Sequence, residues 1–329
     1  MIITQTPLRV GLVGGGTDLP DYYREHGGRV LNAAIDKYVY VIVKQRFDDD
    51  LYVNYSKKEI VSRVEDVEHD LVREALHMTG VRGGLEITTL ADIPSAGSGL
   101  GSSSSVTVGL LQALFAYQGV QVTAAELAER ACTIEIERCR KPIGKQDQYA
   151  AAFGGICDLR FGPGDRVVSE RVTLDQTTRR RLQEQLLLFF TGVTRSADTI
   201  LAEQTAHLVD RLPQLHQLRD LAGEAVSGLL EGDVDALGVA LDKSWQAKRA
   251  LASGVSTTAI DEAVEAALAA GATGAKVTGA GGGGFLLVVC PLANQGAVRD
   301  QLAHLRELPI AIEPMGSRVI FNVHRNIWG

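Results

Sequence analysis

Apolar and polar residues alternate with two different periods along this chain, and the period changes where secondary structure should change. Residues 29–45, RVLNAAIDKYVYVIVKQ, are rich in Val, Ile and Tyr and read as a strand; 51–56, LYVNYS, alternates like a second. Helical spacing runs over 66–79. LEITTLADI (85–93) is again strand-like and leads into a Gly/Ser stretch, PSAGSGLGSSSS (94–105). Helical patterns follow at 103–117 and 123–139, and 154–161 returns to strand. The charged stretch TTRRRLQEQ (177–185) then meets a continuous apolar run, QLLLFFTGV. Beyond it lie long helical patterns over 196–251, a helix at 259–270, and a glycine-rich loop feeding a strand in GAKVTGAGGGGFLLVVC (274–290). A helix at 294–307 and strands at 310–313 and 319–323 close the pattern. Strands and helices mix in both halves, so the predicted class is α+β, or mixed α/β. The domain boundary falls in the charged stretch, giving 1–183 and 184–329.

Composition narrows the function. The 329 residues are 45% hydrophobic, enough for a sizeable core, and the net charge of -7 lacks the basic surplus of a nucleic-acid protein. No run approaches the ~20 apolar residues that span a bilayer. The opening MIITQTPLRVGLV lacks the order of a signal peptide and reads as a strand. Four cysteines form no CxxC pair and no Cys/His ligand spacing, so the expectation is a reduced, cytoplasmic protein without zinc.

Three glycine-rich loops carry the candidate chemistry. PSAGSGLGSSSS joins a strand to an amphipathic helix. Glycines let backbone N–H groups turn toward a ligand, and a helix start adds free N–H groups and a positive dipole end. A polyphosphate suits such a loop; a tight turn with a serine cap is the alternative. It is neither GxxxxGK[ST] nor GxGxxG. TPLRVGLVGGGTD (6–18) places Arg9 inside an apolar strand, where a cation must meet a partner or a ligand. Arg9 is either a phosphoryl-directed group or half of a structural ion pair, and Asp18 is suited to sugar hydroxyls. KVTGAGGGGFLLVV (276–289) has five glycines within 279–284, more than a turn needs. Between the last two loops, TIEIERCRKPIGKQDQYAAAFGG (133–155) carries Glu135 on a helix and Asp147 before an apolar run. Asp147 is either a catalytic carboxylate or a helix N-cap.

These loops in this order, with Asp147 between the second and third, resemble the GHMP kinases, and the resemblance spans nearly the whole chain. TPLRVGLVGGGTDLPDYY with AAIDKYVYV is similar to the sugar 1-kinase branch. The resemblance implies a ribosomal-S5-like N-terminal domain with a left-handed βαβ unit and a ferredoxin-like C-terminal domain. It implies ATP and Mg²⁺ as cofactors, and phosphorylation of the anomeric hydroxyl of a sugar, with D-glycero-D-manno-heptose 7-phosphate expected ahead of fucose or galactose. Matched by position, Asp147 is the catalytic aspartate and Arg9 stands beside it. Pro94, Gly97, Gly99, Leu100, Gly101, Ser102, Ser103 and Ser104 form the nucleotide loop, and Ser103 and Glu135 hold Mg²⁺. Gly15, Gly16, Thr17, Asp18, Gly281 and Gly282 face the sugar. Lys37 and Arg195, each adjoining an apolar strand, are the candidates for a phosphate on the sugar, ahead of Arg138, Arg140, Lys141 and Lys145. Galactokinases carry Glu-His where this chain has Gly15-Gly16, which argues against galactose. The loop ends Ser-Ser-Ser-Ser where many relatives have Ser-Ser-Ala-Ala, so Ser104 and Ser105 read as helix residues rather than ligands. A silent sugar and ATP sensor on the same fold is the alternative from another class. The expected partner is a small-molecule sugar or sugar phosphate, with neither nucleic acid nor membrane, and the expected state is monomer or homodimer.

Overall fold

The computed structural model describes residues 1–93, 97–194 and 197–323; Pro94 and Arg195 lie outside the described residues. In chain order the strands are β1 (Ile2–Val13), β2 (Gly28–Gln45), β3 (Leu51–Asn54), β4 (Lys58–Val61), β5 (Leu85–Ala91), β6 (Ile156–Phe161), β7 (Val167–Arg171), β8 (Leu186–Phe190), β9 (Gly274–Val277), β10 (Phe285–Val289), β11 (Arg306–Glu307) and β12 (Arg318–Asn322). The helices are α1 (Pro20–His26), α2 (Asp70–Thr79), α3 (Ser102–Tyr117), α4 (Ala124–Cys132), α5 (Gln146–Phe153), α6 (Gln176–Gln185), α7 (Ala197–Ala206), α8 (Leu212–Leu230), α9 (Val234–Arg249), α10 (Thr258–Ala269) and α11 (Gln295–Gln301).

The first sheet runs β12-β1-β2-β5-β3-β4, with β6 and β7 branching from β2. β2 is long enough to serve two neighbours: residues 28–33 pair with β6 and residues 39–45 with β5. Its ladder with β1 slips at Pro7/Leu8, where proline supplies no N–H. α3 lies against β1 and β2. It is apolar on most sides and correspondingly buried, the pattern of a helix inside a core rather than on a surface. The second sheet, β11-β8-β10-β9, is antiparallel throughout and carries α9 and α10. The α8–α9 pair also packs on β1 and β2, so it joins the two halves.

Several expectations change. The helix expected over 123–139 is α4, started by a Thr123–Glu126 capping box, followed by a π turn at Thr133–Arg138. That wider turn brings Glu135 to a fully buried position. The strand expected at 310–313 is a single bridge, Ile35 with Ile312. The last strand belongs to the first sheet: β12 pairs with β1, so the chain past 318 returns to the half it began in. The proposed division at 183/184 falls in the last turn of α6, just before β8 opens the second sheet.

Candidate active site

The three glycine loops, separate in sequence, meet around one cavity of about 460 Å³. Its wall takes Arg9 from β1, Gly16 and Asp18 from the turn after β1, residues of the Gly/Ser loop, and the segment before α5. Gln204 of α7, Lys248 of α9 and the 278–283 loop complete it.

Arg9 and Asp147 are brought together from positions far apart in sequence. Arg9 Nε donates to Asp147 Oδ1 at 2.7 Å and Nη2 to Oδ2 at 2.6 Å, while Nη1 donates to the Gly99 carbonyl at 2.6 Å. A two-pronged, charge-assisted pair of this kind fixes direction as well as energy. Asp147 sits in the first turn of α5, but Lys145 is the residue before the helix, so Asp147 is not its N-cap. Leu100 is buried, and its carbonyl accepts the Arg9 backbone N–H at 3.0 Å. Leu100 therefore anchors the loop to β1 and does not line the cavity.

α3 begins at the cavity wall. Its N-cap is Gly101, in the left-handed region, so no side chain caps the first turn. The serines divide by role. Ser102 bonds Ser98 Oγ at 3.2 Å, and Ser105 donates to the Pro7 carbonyl at 2.8 Å, pinning α3 to β1. Ser103 and Ser104 donate to the two oxygens of Glu135 at 2.5 and 2.7 Å, and Gln148 Nε2 donates to Oε2 at 2.7 Å. Lys141 Nζ donates to Ser103 Oγ at 3.1 Å and stands 3.9 Å from Glu135 Oε1. Burial pushes the Glu135 carboxyl up; the bonds from Ser103, Ser104 and Gln148 and the charge of Lys141 pull it back.

Among the described residues no group of three or more His, Cys, Asp or Glu is placed to hold a metal. A carboxylate with a neighbouring hydroxyl, at the start of a helix, is nonetheless a fitting donor set for Mg²⁺, which keeps most of its waters and shares phosphate oxygens.

Asp18 is buried and accepts from Gly16 N–H at 3.0 Å and from Gln146, backbone N–H at 3.2 Å and Nε2 at 3.0 Å. Burial first, and Asp147 second, raise its pKa. Gly144 passes so close that a Cβ there would overlap the Asp18 carboxylate. Thr17 spends its hydroxyl on the Gly14 and Arg29 carbonyls, at 2.8 and 2.9 Å, and holds the turn. Gly15 faces Gln146 without lining the cavity.

The glycines of the third loop have a packing reason. A Cβ on Gly99 would meet Thr278 at 2.8 Å, and one on Gly279 would meet Gly99 at 2.6 Å. The two loops thus touch backbone to backbone, which side chains would prevent. Gly281 lines the cavity; Gly282 donates to the Val255 carbonyl at 2.7 Å and does not.

Lys37 is not brought to the cavity. Its ammonium donates to Asp36 Oδ1 at 2.9 Å, midway along β2, and does not line the cavity wall. Of the basic 138–145 stretch, Lys141 alone lines it: Arg138 stands 3.5 Å from Glu74 and Lys145 3.6 Å from Asp165. Sequence reasoning missed Gln146, Gln204, Thr278 and Lys248. Each sits in a helical or loop pattern that a solvent-facing polar residue would satisfy equally well.

The family model for the GHMP kinases N terminal domain matches residues 53–155, and that for the GHMP kinases C terminal domain matches 225–306. The chain belongs to the GHMP kinase family. As a GHMP kinase it is an ATP-dependent phosphotransferase, of a family that usually works with Mg²⁺. It is 32% identical over 301 residues to D-glycero-alpha-D-manno-heptose 7-phosphate kinase of Campylobacter jejuni, covering 87% of this chain and 88% of that one. It is 28% identical to L-fucokinase/L-fucose-1-P guanylyltransferase of Bacteroides fragilis, over 90% of this chain but 35% of that longer protein. The crystal structure of a D-glycero-D-manno-heptose 1-phosphate kinase from "Bacteriodes thetaiotaomicron" superposes with a TM-score of 0.81 at 26% identity, covering 98% of this GHMP kinase and all of that chain. The two-domain fold of mixed helices and sheets is the family's. No helix among the described residues is long and apolar enough to cross a membrane.

Proposed function

We propose that this GHMP kinase phosphorylates the anomeric hydroxyl of a sugar, converting D-glycero-D-manno-heptose 7-phosphate to the 1,7-bisphosphate. The observation that carries the reading is the Arg9–Asp147 pair lining the cavity of a chain 32% identical to a heptose 7-phosphate kinase. Phosphoryl transfer asks mainly for positioning and charge neutralisation. Bound Mg²⁺ and ATP supply the phosphoryl group and the counter-charge to its oxygens. The glycine loop and the start of α3 offer backbone N–H groups to phosphates, and Ser103 and Glu135 offer oxygens to the metal. Asp147 orients the acceptor hydroxyl and receives its proton, and Arg9 holds both Asp147 oxygens in place. Asp18, fixed by Gly16 and Gln146, accepts from sugar hydroxyls. The reading places the protein in the cytoplasm, where ATP is available and unpaired cysteines such as these four persist.

A kinase of an unphosphorylated sugar is the second reading. It is favoured by the engagement of Lys37, Arg138 and Lys145 with Asp36, Glu74 and Asp165, away from the cavity. The deciding experiment compares heptose 7-phosphate with fucose, galactose and mannose, with phosphorus NMR of each product. The expected product is an anomeric 1-phosphate from the heptose 7-phosphate. Preference for a neutral sugar transfers the assignment to the second reading, and phosphate on a primary hydroxyl sinks both.

Gly144→Ala tests the Asp18 role. Its Cβ would displace the Asp18 carboxylate, so the acceptor KM should rise about tenfold or more while ATP affinity holds. An unchanged acceptor KM would remove Asp18 from the sugar site.

A further inference from the structure

Lys248 is a buried cation that the mechanism so far leaves unused. It stands in the last turn of α9 and is 5% exposed. It lines the cavity, and its ammonium donates to the Gly279 carbonyl of the third glycine loop. Among the described residues it forms no ion pair. The two other cations on the cavity wall are engaged: Arg9 spends both prongs on Asp147, and Lys141 sits by Ser103 and Glu135.

Burying a charge without a counter-ion is costly unless something else supplies the opposite charge. Burial first, and then the repulsion of Arg9, push the Lys248 ammonium down to about 8, while Asp18 and Asp147 pull it back up. Lys276 makes a useful contrast. It is also buried, bonded to the Leu12 carbonyl at 3.0 Å, but it does not line the cavity, and its pKa falls well below the usual lysine range. Lys276 is thus turned into the fold, onto the Leu12 carbonyl, whereas Lys248 is the lysine that faces the open space of the cavity. A second unsatisfied group lies on the same wall: Thr278 Oγ1 is buried, lines the cavity and has no hydrogen-bond partner.

An anion in that space would satisfy both. Lys248 lines the same cavity as Arg9, Asp18 and Asp147 and feels the charge of all three, so an anion beside it would lie where the Arg9–Asp147 pair acts. We infer that Lys248 is the counter-cation of the transferred phosphoryl group, carried to Arg9 and Asp147 by the second half of the chain. The inference rests on the phosphotransfer reading of this cavity but not on the choice of sugar. One consequence is that the charge set is complete only when α9 is docked on the first half.

Lys248→Met and Lys248→Arg in the full chain test it. Calorimetry with AMPPNP and with ADP, each with Mg²⁺, needs no acceptor, so the result stands even if the sugar assignment fails. Lys248→Met should weaken AMPPNP by about tenfold and leave ADP within about twofold of wild type. With the best sugar acceptor, kcat should fall by about a hundredfold. The Tm of the ligand-free protein should hold or rise, because methionine removes an unpaired buried charge. Four charged or titratable groups act on the ammonium through their charge: Arg9, Asp18, Asp147 and Lys276. Below about pH 8 the ammonium is protonated, so wild-type kcat/KM should fall as pH rises through that value, and Lys248→Arg should lose that limb. Equal weakening of AMPPNP and ADP would overturn the inference, leaving Lys248 a support for the loop. So would a loss confined to the KM of a phosphorylated acceptor, which would assign it to the acceptor's own anion. An unmoved alkaline limb in an active Lys248→Arg enzyme would also overturn it; if that variant is inactive, the AMPPNP/ADP comparison in Lys248→Met decides.

Discussion

Asp147→Asn should lower kcat by about three orders of magnitude and leave both KM values within about threefold. The geometry sets this expectation. Both Asp147 oxygens accept from Arg9, and the residue sits on the first turn of a rigid helix, so its carboxylate is held in one orientation. The amide keeps the shape but cannot take a proton. It also turns an NH₂ toward one of the Arg9 donors now 2.6–2.7 Å away, so two donors face each other. The side chain is 24% exposed, and loss of one half of the pair should therefore cost roughly 1–3 kcal/mol of stability. Steady-state kinetics at a temperature well below the variant's Tm separate that cost from the loss of turnover. Turnover within tenfold of wild type would remove Asp147 from the reaction.

Glu135→Gln should lower kcat/KM for the nucleotide by about two orders of magnitude, with part of the loss recovered at high Mg²⁺. Glu135 accepts from Ser103, Ser104 and Gln148 while fully buried. Glutamine has one accepting oxygen, so at least one of these donors loses its acceptor, and the negative charge offered to a cation disappears. Titrating activity with Mg²⁺ at fixed ATP makes the distinction. A metal ligand shifts the half-saturating Mg²⁺ upward, whereas a purely structural glutamate lowers activity at every Mg²⁺ concentration alike. An unchanged Mg²⁺ dependence would reassign Glu135 to supporting α3 and α5.

Much of the site was legible because its signals are local. A charge inside an apolar strand marks Arg9, because such a residue must find a partner. Glycine runs between strands and helices mark the loops, because backbone that passes close to other atoms cannot carry side chains. The mixed class followed from the change of hydrophobic period along the chain. Lys37 shows the limit of such signals: it adjoins an apolar strand as required, yet the strand carries it to Asp36 and away from the cavity.

What the sequence determined by itself was the set of chemically able residues and the loops that carry them. The tertiary structure decided which of them meet. Arg9 reaches Asp147 because β1 and α5 pack together in the first half of the fold. Glu135 points inward because a π turn, which leaves no mark in hydrophobic spacing, widens the helix there. Lys248 is on a helix that any surface pattern would explain, and becomes a buried cavity cation only when α9 packs on β9 and β1. The final strand likewise joins β1 rather than the sheet nearest in sequence. These outcomes depend on strand order and on helix packing between distant segments, and no local pattern of residues encodes either.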